Sequence, residues 1–262
     1  MLKLQGLSDT VATCGVSKLA HRLFAGLRWA DFALERHVLV RRSRPVLRRR
    51  LGDGAATVAA PLVDGGLLLH RGALAALATA RARGLHAERV DAIPAAWDER
   101  LRPQDGRVAF HRPAAWYGWV ARHRFFDEPE NAIAPIVVSR RDRPVGLVLV
   151  KARRYERASS AGYPDLLLGS VLDWHVLEPG GVDDLDLVLL ATRELGRLGV
   201  DAVEVCLPPE LASLPLSRLG FARADALHLL VRASSRSPLA DPRFREPASW
   251  RLRPADGDNV FS

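Results

Sequence analysis

The chain has 262 residues, 48% of them hydrophobic and 26% charged, which supplies a sizeable packed core and excludes wholesale disorder. Its formal net charge is +8, yet all but three of the 38 basic residues are arginine, beside three Ile and two Asn, the mark of a high-GC, bacterial-type coding sequence rather than of selection for nucleic acid. No run of 18 apolar residues occurs, because Pro61, Asp64, His70 and Arg71 interrupt the nearest one, and Lys3, Gln5, Ser8 and Asp9 break any signal peptide, so the reading is a cytoplasmic protein without a membrane span.

In chain order, Ser17 caps a helix from Lys18 to about Phe24, Gly26 stops it, and Phe32 to Val40 reads as a strand. Arg41 to Arg50 is an arginine-rich run expected to lie mostly in solvent. It holds no aromatic residue on which a base could stack, so a specific nucleic-acid reader is not expected there. Leu51 to Gly66, rich in Gly and Ala, reads as a linker, and Arg71 to Arg83 as a helix closed by Gly84. From Leu85 the pattern becomes mixed α/β. His86 to Ile93 is a strand, Pro94 starts a helix, and Pro113 opens another that carries Trp116, Tyr117 and Trp119 up to about Phe125.

Two β-rich runs, 133–139 and 145–151, flank the turn Arg140–Pro144 and read as a hairpin. Leu166 to Leu177 is a further strand. A helix over 185–198 follows, with Val188, Ala191, Leu195 and Leu198 on one face, Asp183 or Asp184 as cap and Gly199 as stop. Ala202 to Leu207 is a buried strand, Pro208 starts a helix ending at Leu219-Gly220-Phe221, and Ala226 to Val231 is the last long strand. The tail from Trp250 to Phe261 reads as an edge strand or a mobile segment. A helix crosses over between 170–177 and 202–207, so these two strands are expected to be parallel neighbours. The order helix, Gly near an aromatic, strand occurs twice, at Lys18–Val40 and Leu211–Val231. Cys14 and Cys206 lie far apart, form no disulfide framework and match no metal spacing.

The β-β-β-α-β-α-β run over 133–231 resembles the GNAT N-acetyltransferase superfamily, in particular the second domain of bacterial tandem GNAT-like proteins. The resemblance is carried by the tail Trp250-Arg251-Leu252-Arg253-Pro254-Ala255-Asp256-Gly257-Asp258, the Trp119/Arg122 helix and the step Leu219-Gly220-Phe221. Gly26-Leu27-Arg28-Trp29 and the strand after it resemble the end of a preceding GNAT-like unit. The implied organisation is a remnant of that unit over 1–58, a linker and helix over 59–84, and a GNAT-like domain with its tail over 85–262.

The resemblance implies an acyltransferase using acetyl-CoA or another acyl-CoA on an amine or hydroxyl of a small-molecule or saccharide-type acceptor. It also implies partnership with an upstream GNAT-like domain or a second copy. The implied cofactor loop is Val176, Gly180, Gly181 and Val182, at the start of a helix whose dipole favours anions. Pro179 removes a donor from that loop, and Asp183 and Asp184 suit helix capping better than pyrophosphate. Leu216 stands where the family often has a tyrosine acid. The implied base is Asp173 with His175, which alternate onto one face of their strand, or Glu204 on the next strand. These departures keep a second expectation open, a catalytically degenerate binding or structural module, and they set the expected acetyl-CoA affinity of the loop at high micromolar or worse. A third, nucleic-acid binding through Arg41–Arg50, is tested by the salt dependence of any binding.

Overall fold

A computed structural model describes residues 10–14, 18–27, 29–102, 106–122, 132–155, 165–233, 237 and 241–256. Nine strands form one mixed sheet. They are β1 (Thr10–Cys14), β2 (Ala30–Val40), β3 (Leu85–Arg89), β4 (Ala132–Arg140), β5 (Arg143–Tyr155), β6 (Leu166–Val176), β7 (Ala202–Leu207), β8 (Ala222–Arg223) and β9 (Leu227–Ala233). The order is β1-β9-β2-β7-β6-β5-β4-β3, with β8 on β2. Every pair is antiparallel except β6 and β7, which run parallel from Leu168↔Ala202 to Val171↔Val205. The mixed α/β sheet and the parallel pair agree with the sequence pattern.

Helices α1 (Lys18–Gly26), α2 (Arg44–Leu51), α3 (Asp53–Arg81), α4 (Asp98–Leu101), α5 (Ala114–Arg122) and α6 (Asp184–Arg197) complete the architecture. The main core lies between one sheet face and α6, where Val148, Val150, Val171, Trp174, Val203 and Val205 meet Leu187, Val188, Ala191 and Leu195. Leu147, Leu149 and Leu172 point the other way, towards Tyr117 and Val120 of α5. Farther along that second face, Phe32, Leu34, Cys206 and Leu229 pack on Trp250 and Leu252. The alternation of strand side chains thus feeds two opposite cores.

Helix α6 forms as its pattern dictates. Asp183 accepts from the Asp186 backbone N–H, the Asp186 carboxylate accepts from the Asp183 N–H, and Gly199 takes φ +75° after the last turn. In the β4–β5 hairpin Arg141 and Asp142 both adopt positive φ, 49° and 64°, the mirror-image turn whose twist suits a two-residue connection.

Several expectations are corrected. Leu51–Gly66 is not a linker, because α3 runs unbroken through Pro61, Gly65 and Gly66. Alanine propensity and packing of Ala56, Ala60 and Ala78 outweigh those breakers. The Arg41–Arg50 run is only partly in solvent: Arg42, Arg44, Arg49 and Arg50 are exposed, Ser43 is buried and the rest are half-buried as the chain enters α2, with Pro45 in its first turn and Arg48 paired with Asp53 and Asp165. After Pro94 and after Pro208 there are only short helical pieces, at 95–101, 209–211 and 217–219. The helix expected to reach Phe125 is described only to Arg122, and the tail only to Asp256. Between Trp250 and Asp256 that tail makes one isolated parallel bridge, Val108 to Trp250, and no extended edge strand, and it is not loose, since Trp250, Leu252, Arg253, Pro254 and Ala255 are buried. No described helix is long and apolar enough to cross a membrane.

The twofold echo has a structural counterpart. Strand β2 lies inside the sheet, between β7 and β9, and β9 in turn pairs with β1. The registers correspond: Cys206 faces Arg36 and Ala202 faces Val40, while Cys14 faces Leu229 and Thr10 faces Ala233. Superposing Thr10 on Ala202 and Cys14 on Cys206 keeps one spacing through Leu19/Leu211, Ala20/Ala212, Leu27/Leu219 and Trp29/Phe221. The segments β1-α1-β2 and β7 to β9, the second with only short helical turns between its strands, therefore exchange their last strands.

The sheet's contact with α6 is tight enough to test. A Cβ on Gly146 would meet Leu187 Cδ2 at 2.5 Å, and Leu187 is fully buried. Gly146→Ala is expected to cost about 1–3 kcal/mol by overpacking. In a Leu187→Ala background the same change should cost less, because the cavity accepts the methyl. Urea unfolding of both singles and the double gives this coupling; strictly additive costs would show that the contact is misplaced.

Candidate active site

One residue of β6 creates the site. Asp173 faces Leu149 and Val171 faces Val150, so Leu172 is an extra residue on β6, a bulge. A bulge bends and twists its strand. It falls directly after the last parallel pair, Val171↔Val205, and beyond it β6 and β7 part. The opening has Asp173, Trp174 and His175 on one side and the end of β7 on the other.

Four donors converge on the fully buried Asp173. Arg112 donates from Nε at 3.0 Å and Nη2 at 2.9 Å, and the Tyr117 hydroxyl at 2.6 Å, all to Oδ2. His175 Nε2 lies 3.0 Å from the same oxygen and 2.9 Å from the Tyr117 hydroxyl. Oδ1 accepts from the Trp174 N–H. Arg112 also ion-pairs with Asp256 of the tail, itself buried.

The electrostatics follow from this crowding. Burial pushes the Asp173 carboxyl up, but Arg112, His175 and the Tyr117 hydrogen bond prevail and hold it well below the usual carboxylate range. Burial, then the Asp173 charge, raises Tyr117 well above an ordinary phenol, so it is a neutral donor. Asp256 is pushed up by burial first and by Asp173 besides, with Arg112 opposing. Arg112 is raised despite its burial, because two carboxylates surround it. His175 is the member nearest solvent, with 15% of its side chain exposed. An ionised Asp173 at Nε2 favours the tautomer with its proton there and leaves Nδ1 as the basic nitrogen.

Asp173 and His175 are thus brought together on one face, as their alternation implies. Glu204 is not with them. It lies 3.5 Å from both Arg36 and Ser170 Oγ, on a cluster reaching Lys151, and burial raises its carboxyl. Leu216, in the tyrosine's family position, is fully buried in the core. In the implied cofactor loop, Val176 ends β6 and Val182 is buried. Gly180 takes φ +80°, and a Cβ on Gly181 would meet Val145 at 3.0 Å, so both glycines have structural reasons to be there. Asp184 accepts from Trp174 Nε1 at 2.8 Å, and Asp183 and Asp186 are both bound by Arg81. Of the three carboxylates beside the loop, Asp183 and Asp184 are thus engaged by Arg81 and Trp174, while Glu178 lines the neighbouring cleft.

Beside the two glycines lies a cleft of about 950 Å³ lined by Arg83, Arg140, Arg141 and Arg143. These four have no ion-pair partner among the described residues. The parting of β6 and β7 has an occupant. Leu252 and Ala255 pack on the face opposite α6, yet the Arg253 guanidinium lies 4.6 Å from the Trp174 ring, which packs on the α6 side. It also reaches Glu210, after β7, at 3.2 Å. Arg253 therefore sits at the opening, its guanidinium between Trp174 and Glu210 and folded back on its own backbone, where Nη1 donates to the Leu252 carbonyl at 2.8 Å.

Sequence reasoning missed Arg112, placed Tyr117 only on its helix and Asp256 only within the tail, and gave neither a role in the site. The only available signal was charge within apolar surroundings, as at Asp256 after Pro254-Ala255.

No family model matches the chain, and no curated protein matches it. Solved structures similar to it include a conserved protein of unknown function from Staphylococcus epidermidis, 11% identical over 89% of this chain and 76% of that one, with a TM-score of 0.43. A GCN5-related N-acetyltransferase from Anabaena variabilis is 11% identical over 88% of this chain and 47% of that one, with a TM-score of 0.41. A tandem GNAT protein from the clavulanic acid biosynthesis pathway is 12% identical over 90% of this chain and 67% of that one, with a TM-score of 0.47. The chain thus spans between about half and three quarters of the length of these proteins.

The buried network sets a stability prediction. Arg112→Met leaves two carboxylates facing each other in the core and should cost about 3–5 kcal/mol. Asp173→Asn should cost more than Asp256→Asn, because only Asp173 is held below its normal range. The Asp173 contribution is present above the unfolded carboxylate pKa of about 3.9 and is lost as pH falls through its depressed folded value. Asp256 has the opposite sign and loses stability as pH rises through its raised value. Thermal melts of the three variants between pH 3 and 8 check both signs.

Proposed function

We propose that the chain is a GNAT-like acyltransferase module that takes an acyl-CoA at the opening between β6 and β7. The observation that carries the reading is His175 held by an ionised Asp173 at the edge of that opening. In it, His175 Nδ1 accepts a proton from an amine or hydroxyl of a small-molecule or saccharide-type acceptor. Asp173 stabilises the resulting imidazolium, and Arg112 keeps Asp173 ionised. Tyr117 fixes both side chains through its hydroxyl. Acyl-CoA supplies a thioester carbon that forms the new C–N or C–O bond while its C–S bond breaks, and the leaving thiolate takes up, through solvent water, the proton that the imidazolium gives back. The backbone of Val176, Gly180, Gly181 and Val182 lies where the carrier's diphosphate would run. Arg83, Arg140, Arg141 and Arg143 supply positive charge beside it. Glu204 is set aside as a base, because it is engaged with Arg36.

In the same reading, β1, α1 and β2 are the end of an upstream GNAT-like unit that has exchanged its last strand with the 85–262 domain. A cytoplasmic location goes with it.

A second reading is favoured by one observation, the Arg253 guanidinium lying at the opening between Trp174 and Glu210. If that side chain is a permanent filler, the module is catalytically degenerate and serves binding or structure.

Calorimetry with acetyl-CoA and a thiol-release assay with a panel of amines and aminosugars separate the two. The acyltransferase reading expects acetyl-CoA binding in the high micromolar range. It also expects a loss of at least about 100-fold in turnover for His175→Ala at unchanged acetyl-CoA affinity. Arg140→Ala with Arg143→Ala should weaken binding and flatten its salt dependence. Arg253→Ala should tighten binding if the guanidinium competes for the opening. Absence of thiol release across the panel, in both wild type and Arg253→Ala, would leave the degenerate module as the function.

A further inference from the structure

On the outer face of the exchanged strands, three side chains from three elements converge. Asp31 of β2 pairs across the ladder with Leu230, and Ala33 pairs with His228 of β9, so Asp31 and His228 lie diagonally on one face. Phe32 and Leu34 alternate to the other face, into the core. Helix α1 lays His21 over the pair. His21 Nε2 is 2.7 Å from Asp31 Oδ2, and His228 Nδ1 is 2.8 Å from Asp31 Oδ1. The two imidazoles meet edge to face with centroids 4.6 Å apart. One ligand atom from each residue lies within 4.8 Å of the others, and no other such trio occurs among the described residues.

We propose that His21, Asp31 and His228 form a binding site for a divalent transition-metal ion of the zinc type. Two imidazoles and one carboxylate are ligands that zinc, nickel and cobalt prefer and that magnesium and calcium do not. A tetrahedral ion with bonds of about 2.0–2.2 Å needs donors about 3.3 Å apart. The two imidazole–carboxylate spacings are about half an ångström short of that and the three ligand atoms all lie within 4.8 Å of one another, so the carboxylate has to draw back and the rings to adjust as the ion enters. Without an ion, each imidazole must turn an N–H towards the carboxylate; an ion takes the place of both protons. The three side chains remain 30–40% exposed, so the ion has an entry path and its remaining position faces solvent. The site joins α1 and β2 to β9, the elements that exchange strands, so the bound ion would clamp the N-terminal segment to the last strand. No local spacing announces it, because the ligands stand at 21, 31 and 228.

The test uses the untagged full chain, freed of metal with chelator and titrated calorimetrically with zinc chloride. One site with a Kd of about 10 μM or tighter is expected, with competition by nickel and none by millimolar magnesium. Asp31→Asn and His228→Ala should each weaken zinc at least tenfold. The zinc-induced rise in melting temperature should vanish in both, with far-UV circular dichroism unchanged. His21→Ala, on an exposed helix face, gives a third variant should a strand substitution fail to fold. Binding weaker than about 10 μM, or affinity unmoved by the substitutions, would mean that the three residues are an ordinary hydrogen-bonded cluster and overturn the proposal.

Discussion

The guanidinium of Arg112 is the constraint on which the second face of the sheet depends. It is buried between two carboxylates, one on a central strand and one in the C-terminal tail, so it fixes how the tail lies on the sheet. Removing a partner would leave a bare charge in an apolar core, which costs more than most single contacts supply. Tyr117 is drawn into the same arrangement, which orients α5. The functional geometry is therefore a by-product of satisfying buried charge. His175 owes its position and tautomer to a carboxylate that could not stay ionised without Arg112.

The bulge at Leu172 works together with that network. Without the extra residue, β6 would continue its parallel ladder with β7, and Asp173 would lose its position opposite Leu149. The same opening admits Arg253, which competes with any ligand for the space. An opening in the sheet and a side chain able to fill it come from one local irregularity.

Much of the fold was legible because its signals are local. The period-3.6 stripe of α6, its Asp183 cap and the hairpin around Arg141-Asp142 are decided within a few residues of themselves. Asp173 and His175 could be placed on one face because alternation is a property of any strand. Arg112 could not be found this way, since its partners stand at 173 and 256 and nothing near residue 112 marks it. The reading of Leu51–Gly66 as a linker weighed Gly and Pro as breakers, whereas tertiary packing along α2 and α6 made a long helix of the segment. The short helical pieces after Pro208 show the reverse case, where a helix-like run is held in tighter turns by the chain's need to reach β8.

The strand exchange has a kinetic consequence. Strand β2 is made early, but both of its ladder neighbours, β7 and β9, lie about 170 to 200 residues later in the chain. Contacts of such separation close slowly, because the loop entropy must be lost before any pairing is gained. Until residues 202–233 have been synthesised, Phe32 and Leu34 have no core to enter and β2 presents two open edges. During that interval an unpaired strand of this kind is prone to pair with a neighbouring chain. The feature that ties β2 to the later strands β7 and β9 is therefore also the one that leaves this segment most exposed to misassembly.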